Sequence, residues 1–187
     1  MAFDDEFDET LASAQGGDQA AAARLFRANQ PRLLRYLRSQ EPRVADDLAA
    51  EVWLAVAGQL AAFEGDAAGF RGLLFTIAHR RVIDHRRRGL RHRTETVDPG
   101  SMARNPSSDD PATEAIGAMS AQEAVDALVR LLTPDQAEVV ILRVVGGLDT
   151  ATVGAMLEQS ENWVRVTQHR ALKRLAGRLD VNMIVTP

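Results

Sequence analysis

The chain has 187 residues, of which 45% are hydrophobic and 26% are charged, a mixture typical of globular proteins. It contains no cysteine, which excludes disulfide bonds, thiolate metal ligands and a cysteine nucleophile. No run of eighteen apolar residues occurs, and the acidic N-terminus lacks the basic start and apolar centre of a secretion signal. These features predict a cytoplasmic protein with no membrane association.

The net charge of −4 conceals a strong segmentation along the chain. Residues 1–19 contain six acidic residues and no basic residue, which predicts an acidic N-terminal tail. Residues 20–95 contain 14 arginines against eight acidic residues, whereas residues 119–187 are nearly balanced. A basic block of this kind indicates a nucleic-acid partner. A coding bias toward arginine is the alternative, since Lys173 is the chain's one lysine.

Two helical domains and a linker are predicted. The acidic stretch 96–118 is rich in proline and serine and has no aromatic residue, so it favours a flexible linker, placed at residues 96–120. No alternating strand pattern of useful length occurs on either side. The prediction is an all-α fold with one small domain at residues 20–95, a second at 121–180 and a short tail at 181–187.

The first domain is predicted to contain three or four helices, with helical segments at residues 20–29, 31–40, 43–62 and about 70–93. Pro31 is assigned to the first position of the second helix, where a missing N–H costs no hydrogen bond. Apolar residues recur every four positions in the third helix. The fourth helix is apolar at its start and strongly basic toward its end.

The second domain is also predicted to contain four helices, at residues 122–132, 134–145, 149–157 and 160–179. Thr133 is an N-cap candidate and is followed by Pro134 at the first helical position. The last two helices are separated only by residues 158–159. A short helix, a tight turn and a longer helix form a helix-turn-helix arrangement. Gly154 is a small residue where the second helix of this pair is expected to approach closely.

The last helix has two different faces. Its predicted buried stripe consists of Val164, Gln168, Ala171, Leu172, Leu175 and Leu179. Gln168 is expected to bond to a nearby backbone group or to lie at the stripe's edge. The opposite face is polar and basic, as a helix in a DNA major groove requires, and the N-cap Ser160 leaves backbone N–H groups facing phosphate. The predicted DNA contacts are Ser160, Asn162, Trp163, Arg165, Val166, His169, Arg170 and Lys173. A solvated amphipathic helix would show the same pattern.

The basic end of the fourth helix is a second candidate surface for nucleic acid. Asp84 is spaced to pair with Arg80 and with Arg87 or Arg88 along one helical face. Several arginines remain unpaired, and unpaired arginines on a helix favour phosphate binding. A solvated helix end is the alternative.

The turn predicted at residues 63–66 carries an aromatic side chain close to this basic helix. An aromatic residue in such a loop can stack on an unpaired base. Phe63 is therefore a candidate either for base stacking or for the core, whereas Phe70 is expected to be buried.

Segments on both sides of the linker resemble one family. Residues 24–93 resemble the second conserved region of the extracytoplasmic-function (ECF) group of bacterial RNA polymerase sigma factors. The matching segments are PRLLRYL at 31–37, ADDL at 45–48 with Glu51-Val52, and FRGLLFTIA at 70–78 leading to Ile83-Asp84-His85. Residues 131–179 resemble the fourth region. Its matching segments are LTPDQ at 132–136, ILR at 141–143, Gly147-Leu148, and Val164-Arg165 with HRALKRL at 169–175.

The resemblance implies a function in transcription initiation. In this family the second-region domain binds the clamp coiled coil of core RNA polymerase and opens the −10 promoter element. The fourth-region domain reads the −35 element and binds the polymerase flap, and the linker threads toward the active-site cleft. The resemblance implies no catalysis and no cofactor. An anti-sigma factor restrains many family members, which makes one a candidate partner.

By position, the resemblance assigns residues to three surfaces. The polymerase-facing residues are Asp46, Asp47, Glu51 and Trp53. The −10 residues are Phe63, Glu64, Gly65, Asp66, Arg80, Asp84, Arg87 and Arg88. The −35 residues are the eight predicted DNA contacts of the last helix.

Several positions depart from the family pattern. Arg80 stands where Asn often reads the upstream edge of the −10 element, and Ala50 stands where Gln is common. Glu158 replaces the usual Gly of the helix turn, so a wider turn is expected. Thr167 and Gln168 replace a common Arg-Leu pair in the −35 helix. The family's promoter sequence therefore does not carry over to this chain.

Two other functions are weighed against this one. A stand-alone helix-turn-helix regulator would use the first domain for sensing or dimerisation and would bind duplex DNA without polymerase. A metal-dependent phosphohydrolase would use His79, Asp84 and His85. At least seven nearby positive charges oppose a cation there, and the remaining ligands are missing.

Overall fold

The computed structural model describes residues 6–95 and 120–184, with side chains described for residues 6–91 and 120–177. All regular structure in these ranges is helical, which confirms the predicted all-α fold. The first range contains α1 (Phe7–Gln15), α2 (Gln19–Gln40), α3 (Ala45–Leu60) and α4 (Ala67–Glu95). The second range contains α5 (Ala121–Leu131), α6 (Pro134–Val144), α7 (Thr150–Met156) and α8 (Glu161–Ile184). Apart from Ser120, the predicted linker lies outside the described residues.

The N-terminal stretch that we expected to be an acidic tail contains a packed helix. Phe7, Leu11 and Ala14 in α1 are buried, and their spacing of four and three places them on one helical face. Asp8 and Glu9 lie on the exposed side. Burial of an apolar stripe stabilises the helix in spite of its acidic surface. The high acidic content of this stretch therefore obscured an amphipathic pattern at residues 7–14, in which the apolar residues lie on one face of a helix.

The two helices predicted at residues 20–29 and 31–40 are one helix, α2, with Pro31 inside it. An interior proline removes one backbone hydrogen bond and costs about 3 kcal/mol. The buried stripe continues through this point, since Leu25, Leu33 and Leu37 are all buried while Pro31 is exposed. Each buried leucine contributes about 2 kcal/mol. Packing against the core therefore outweighs the local break.

The core of the first domain lies between α2, α3 and α4. The only tyrosine, Tyr36, is fully buried and meets Phe75 edge-on at 5.6 Å between ring centroids. The predicted third and fourth helices are found as α3 and α4 with ends displaced by two or three residues. Between them, the Asp66 carboxylate accepts a hydrogen bond from the Gly69 backbone N–H at 2.8 Å and so begins α4.

The second domain is built around a helix-turn-helix. The predicted caps at the start of α6 are present: Thr133 forms a capping box with Gln136, and Pro134 occupies the first turn. A Cβ placed on Gly154 would lie 2.8 Å from the carbonyl oxygen of Gln159, which confirms the predicted close approach. Glu158 adopts φ 55°, so it retains the left-handed conformation that a glycine would favour at this turn. The predicted tail at 181–187 is helical as far as Ile184.

The two domains contact each other directly. Helix α2 packs against α5, and α4 packs against α7. Gly72 of α4 lies at this second contact, where a Cβ would be in ordinary van der Waals contact with Cγ2 of Thr152, 3.4 Å away. Buried residues of both domains form one continuous cluster.

Candidate polymerase and nucleic-acid surfaces

The four residues expected to face polymerase do not share one orientation on α3. Asp46 and Asp47 are exposed, and Asp46 lies 3.5 Å from a guanidinium nitrogen of Arg38. Glu51 is half-buried and faces α4, where its carboxylate lies 3.8 Å from the guanidinium of Arg81. The Trp53 indole N–H donates to the Gln30 side chain at 2.6 Å, which turns this residue toward α2.

Two exposed apolar residues in this region were missed from the sequence. Leu54 is 76% exposed, although Val52 and Val56 on either side of it in α3 are buried. Leu54 falls two residues after Val52 and therefore outside the repeat of apolar residues at every fourth position of this helix. This departure from the repeat was the signal in the sequence that Leu54 is exposed. Phe26 is 41% exposed, and its ring contacts that of Trp53 in a tilted arrangement with 5.0 Å between centroids. Because Asp47 and Leu54 are two helical turns apart, they present one acidic and one apolar group on the same face.

The loop between α3 and α4, residues 61–66, is held around Phe63. The Phe63 ring is half-buried and lies edge-on to buried Phe70, with 5.7 Å between ring centroids. Gly65 has φ 151°, and a Cβ there would come within 3.1 Å of the Phe63 ring. Glu64, Gly65 and Asp66 are exposed. A cavity of about 470 Å³ opens beside the loop, lined by Gly58, Gln59, Ala62, Phe63, Glu64 and Leu73.

The arginines of α4 fall into two groups. Arg86 is anchored, since it forms an ion pair with Glu41 at 2.6 Å and donates to Gln40 at 3.1 Å. Arg80, Arg87 and Arg88 are exposed. A basic groove of about 300 Å³ is lined by Arg81, Asp84, Arg87, Arg88 and Arg91.

The predicted ion pairs of Asp84 are not formed among the described residues. Arg88 instead donates to the backbone carbonyl of Asp84 at 3.3 Å. The Asp84 carboxylate is exposed, so water competes with any arginine partner. The neighbouring guanidinium groups therefore remain directed to solvent along this face.

The recognition helix α8 starts as expected, with the Ser160 hydroxyl accepting from the Trp163 backbone N–H at 3.1 Å. Seven of the eight predicted DNA contacts are exposed: Ser160, Asn162, Arg165, Val166, His169, Arg170 and Lys173. Arg165 forms an ion pair at 2.6 Å with Glu161, one turn earlier. Trp163, expected to point outward, is instead half-buried in the cleft between the domains, beside His79 and Glu138.

The inner face of α8 also differs from the prediction. Gln168 is half-buried, in agreement with the expected position at the stripe's edge, and accepts from the Arg143 guanidinium at 3.2 Å rather than from a backbone group. Arg143 also donates to the carbonyl of Leu148. Leu172 is 49% exposed, whereas Thr167 is buried. The buried stripe of α8 is therefore narrower than predicted, because α6 and α7 cover only one side of it.

A polar cluster joins the domains. The Tyr36 hydroxyl donates to Oε1 of Glu138 at 3.0 Å. His79 Nδ1 lies 3.1 Å from the Tyr36 hydroxyl oxygen and 3.1 Å from the same Glu138 Oε1. Burial, followed by the nearby Glu138 charge, raises the pKa of Tyr36 well above its usual value. His79 thus has hydrogen-bond partners, Tyr36 and Glu138, that the metal hypothesis did not include.

Within the described ranges, no three His, Asp or Glu side chains are placed to hold a metal ion. None of the helices described is both long and apolar enough to cross a bilayer.

Comparison with known families matches both domains. Residues 25–92 match Sigma-70 region 2, and residues 122–175 match Sigma-70 region 4. The loop 61–66 and the basic helix α4 fall within the first match as far as residue 92, and the helix-turn-helix falls within the second.

Several proteins and solved structures are similar to this chain over most of its length. The ECF RNA polymerase sigma factor ShbA of Streptomyces griseus is 34% identical over 85% of this chain and 87% of its own length. SigD of Mycobacterium tuberculosis is 31% identical over 94% of this chain and 84% of its own length. The Bartonella quintana sigma factor RpoE, solved with the anti-sigma factor NepR, has a TM-score of 0.61 at 21% identity and covers 83% of this chain and 94% of its own. CnrH, solved with the cytosolic domain of CnrY, has a TM-score of 0.56 at 21% identity, covering 92% of this chain and 96% of its own. With both conserved regions matched in order and relatives aligned over most of their length, the chain belongs to the ECF RNA polymerase sigma factors.

Proposed function

We propose that this sigma factor, which directs promoter recognition and transcription initiation, divides the work among three surfaces. Helix α3 binds core RNA polymerase, the loop 61–66 with α4 binds the −10 element, and α8 reads the −35 element. One observation carries the proposal: in one domain an aromatic loop precedes a helix whose later turns carry exposed arginines, and in the other the last helix of a helix-turn-helix has an exposed basic face.

The polymerase surface is proposed around Asp47 and Leu54. Exposed Leu54 supplies apolar area and exposed Asp47 supplies a charge that a bound partner would cover. Glu51 and Trp53 support this surface from behind through Arg81 and Gln30. The proposed partners are the clamp coiled coil for α3 and the flap for the second domain.

The −10 surface combines Phe63, for stacking on an unpaired base, with the exposed arginines of α4, for phosphate contacts. Glu64, Gly65 and Asp66 lie in the same loop and complete its exposed edge. The cavity beside Phe63 offers space for an extruded base, and the basic groove at Arg87 and Arg88 lies on the helix that follows.

The −35 surface is proposed on the exposed side of α8, from Asn162 to Lys173. Ser160 caps this helix, and Val166 supplies an apolar contact for a thymine methyl group. Trp163 supports the position of α8 from the domain cleft, so its predicted DNA contact is replaced by a structural role in this arrangement.

Promoter opening is proposed to require core polymerase. Separating DNA strands costs about 1.4 kcal/mol per base-pair step, and a small domain with a few exposed arginines does not supply several such steps. The test is transcription from a promoter selected out of a randomised library, with and without core enzyme. Strand opening detected by permanganate footprinting with the isolated chain would overturn the proposal. Sequence-specific regulation of duplex DNA without polymerase would favour the stand-alone regulator instead.

The proposal places the chain in the cytoplasm, where polymerase and promoter DNA are located, and assigns it no catalytic activity. An anti-sigma factor is a further proposed partner, because the similarly folded RpoE was solved with the anti-sigma factor NepR. Purified anti-sigma protein should lower promoter-dependent transcription by this chain. Transcription that no such protein affects would remove it from the list of partners.

A further inference from the structure

The side chain of Gln15, at the end of α1, forms hydrogen bonds with the segment where α3 ends and the loop 61–66 begins. Its Nε2 donates to the carbonyl oxygen of Leu60 at 3.0 Å and to that of Phe63 at 2.8 Å. The last carbonyls of a helix have no partner within the helix. One amide group therefore ties the end of α3 to the loop, across 45 and 48 residues of sequence.

Helix α1 reaches the same loop by a second route. Buried Phe7 lies 5.7 Å from Phe70, and Phe70 lies 5.7 Å from Phe63, measured between ring centroids. The three rings form a chain from the start of α1 to the loop. Phe63 is thus held at its backbone by Gln15 of α1 and at its ring by Phe70, which also contacts Phe7 of α1.

The loop has few other restraints. A 3₁₀-type bond from the Phe63 N–H to the Leu60 carbonyl, 3.2 Å long, closes its first turn, and Asp66 closes its end. Glu64 and Gly65 are exposed between these points. Without Gln15, the Phe63 carbonyl would bond to water and the Leu60 carbonyl would keep only its bond from the Phe63 N–H, so the first half of the loop would gain conformational freedom. A loop that must order on binding loses affinity to the ordering entropy.

We propose that Gln15 is a positioning residue for −10 recognition, holding Phe63 in the orientation that captures a base. The inference rests on the proposed function of the loop 61–66. It assigns a role to α1, which lies outside the region-2 match that begins at residue 25. Gln15 does not touch DNA in this arrangement; it acts through the loop backbone.

Three variants separate this role from a general effect. Gln15→Glu keeps the shape but replaces the donor with a charged acceptor facing two carbonyls. Gln15→Lys keeps N–H donors at the end of a flexible chain. Glu9→Gln changes an exposed residue of α1 away from the loop and is the matched control.

The readout is the affinity of reconstituted holoenzyme for a single-stranded −10 oligonucleotide, together with base preference in a randomised −10 library. Loss of two hydrogen bonds predicts affinity weaker by about tenfold for Gln15→Glu. Its base preference should flatten at the position read by the loop. Gln15→Lys and Glu9→Gln should stay within about twofold of the parent. Affinity for core enzyme and for −35 duplex should not change in any variant.

Two results would overturn the inference. One is a Gln15→Glu holoenzyme with parental affinity and base preference. The other is a Gln15→Glu variant that melts at a much lower temperature or loses core and −35 binding in parallel, since Gln15 would then only stabilise the domain. Phe63→Ala tests the underlying function of the loop separately. If Phe63→Ala alters base preference and Gln15→Glu does not, the loop reads DNA without help from Gln15. If Phe63→Ala changes nothing, the proposed function of the loop is itself wrong.

Discussion

Tyr36 of α2 donates a hydrogen bond to Glu138 of α6 at 3.0 Å, joining two residues 102 positions apart and belonging to different domains. His79 of α4 lies within 3.1 Å of both partners. The tyrosine is fully buried, so its hydroxyl has no access to bulk water in this arrangement. The contact is therefore a specific polar link between the two domains.

Removing this hydroxyl should loosen the domain contact. Tyr36→Phe keeps the ring packed on Phe75 but deletes the donor to Glu138, leaving a part-buried carboxylate with one partner fewer. We expect a larger average distance between dyes placed on α1 and α8, measured by single-molecule energy transfer. Ser39→Ala is the control, because that hydroxyl bonds within α2. Unchanged distances in Tyr36→Phe would show that apolar packing alone holds the domains together.

The same tyrosine should titrate late. Its pKa is raised well above the usual value by burial and by Glu138. A raised pKa favours the protonated form in the folded state, so its contribution to stability is complete below about pH 10 and is lost as pH rises toward the folded-state pKa. Because Tyr36 is the only tyrosine, tyrosinate absorbance reports it alone.

In the folded chain this absorbance should appear at higher pH than in urea. As pH rises from the unfolded-state pKa of Tyr36 to its folded-state pKa, ionisation of this tyrosine should lower the free energy of unfolding by up to about 1.4 kcal/mol per pH unit. Tyr36→Phe should remove that decrease. Coincident folded and unfolded titrations would contradict the buried position of the hydroxyl.

Asp149, the N-cap of α7, is predicted to stabilise the helix-turn-helix through its charge. The Thr152 backbone N–H donates to its carboxylate at 2.6 Å and lowers its pKa. A lowered pKa contributes stability above the unfolded value of about 3.9, and this is lost as pH falls through the folded-state value. Asp149→Ala should cost about 1 kcal/mol near neutral pH.

Asp149→Asn serves as the control because an asparagine still caps the helix. It should keep most of the neutral-pH stability but lose the acid dependence of this group, as measured by urea unfolding at several pH values. Equal acid sensitivity in the parent and in Asp149→Asn would rule out the charge as the cause.

Arg165 and Lys173 are predicted to differ in DNA recognition. Arg165 lies near the start of α8, where side chains reach bases, whereas Lys173 is two turns later, where phosphate contacts are more common. Arg165→Ala should change the preferred −35 sequence at a cost of about 1–3 kcal/mol if it pairs with guanine. Lys173→Ala should weaken all sequences alike and lower the salt slope by about one unit.

The Arg165 ion pair with Glu161 supplies the competing explanation and its test. Glu161→Gln frees the guanidinium without removing it, so base preference should persist in that variant. Selection of −35 sequences from a randomised pool measures all three. An Arg165→Ala holoenzyme that keeps the parental preference and loses only overall affinity would limit Arg165 to phosphate contact or helix stability.

The exposed face of α3 is predicted to bind core enzyme. Asp47→Arg and Leu54→Ala should each weaken core affinity by about 1–2 kcal/mol while leaving the melting temperature unchanged, because both side chains are exposed. Glu51→Arg is less informative, since it would face Arg81 within the domain. Asp8→Arg reverses a charge elsewhere on the domain and is the control. Equal core affinity for Asp47→Arg, Leu54→Ala and the parent would move the polymerase contact away from this face.

Local sequence determined much of the helical structure. Thr133 with Pro134 predicted the start of α6, Ser160 predicted the N-cap of α8, and Gly154 predicted the close approach in the helix-turn-helix; all three were found. Each depends on atoms within a few residues of chain, such as a cap oxygen, a missing N–H or a missing Cβ. The resemblance to sigma factors also arose from short segments, and the comparisons confirm it.

Other features depended on packing between distant segments. Local sequence rules place a helix boundary at Pro31. Helix α2 nevertheless continues through it, because its apolar stripe is buried both before Pro31, at Leu25, and after it, at Leu33. Trp163 lies on the outward side of an isolated α8, but the first domain covers it in the cleft. Gln15 carries no local signal for the loop 45 residues away. Sequence periodicity specifies which face of a helix is apolar, whereas only the tertiary structure decides what covers the remaining faces and which polar groups meet there.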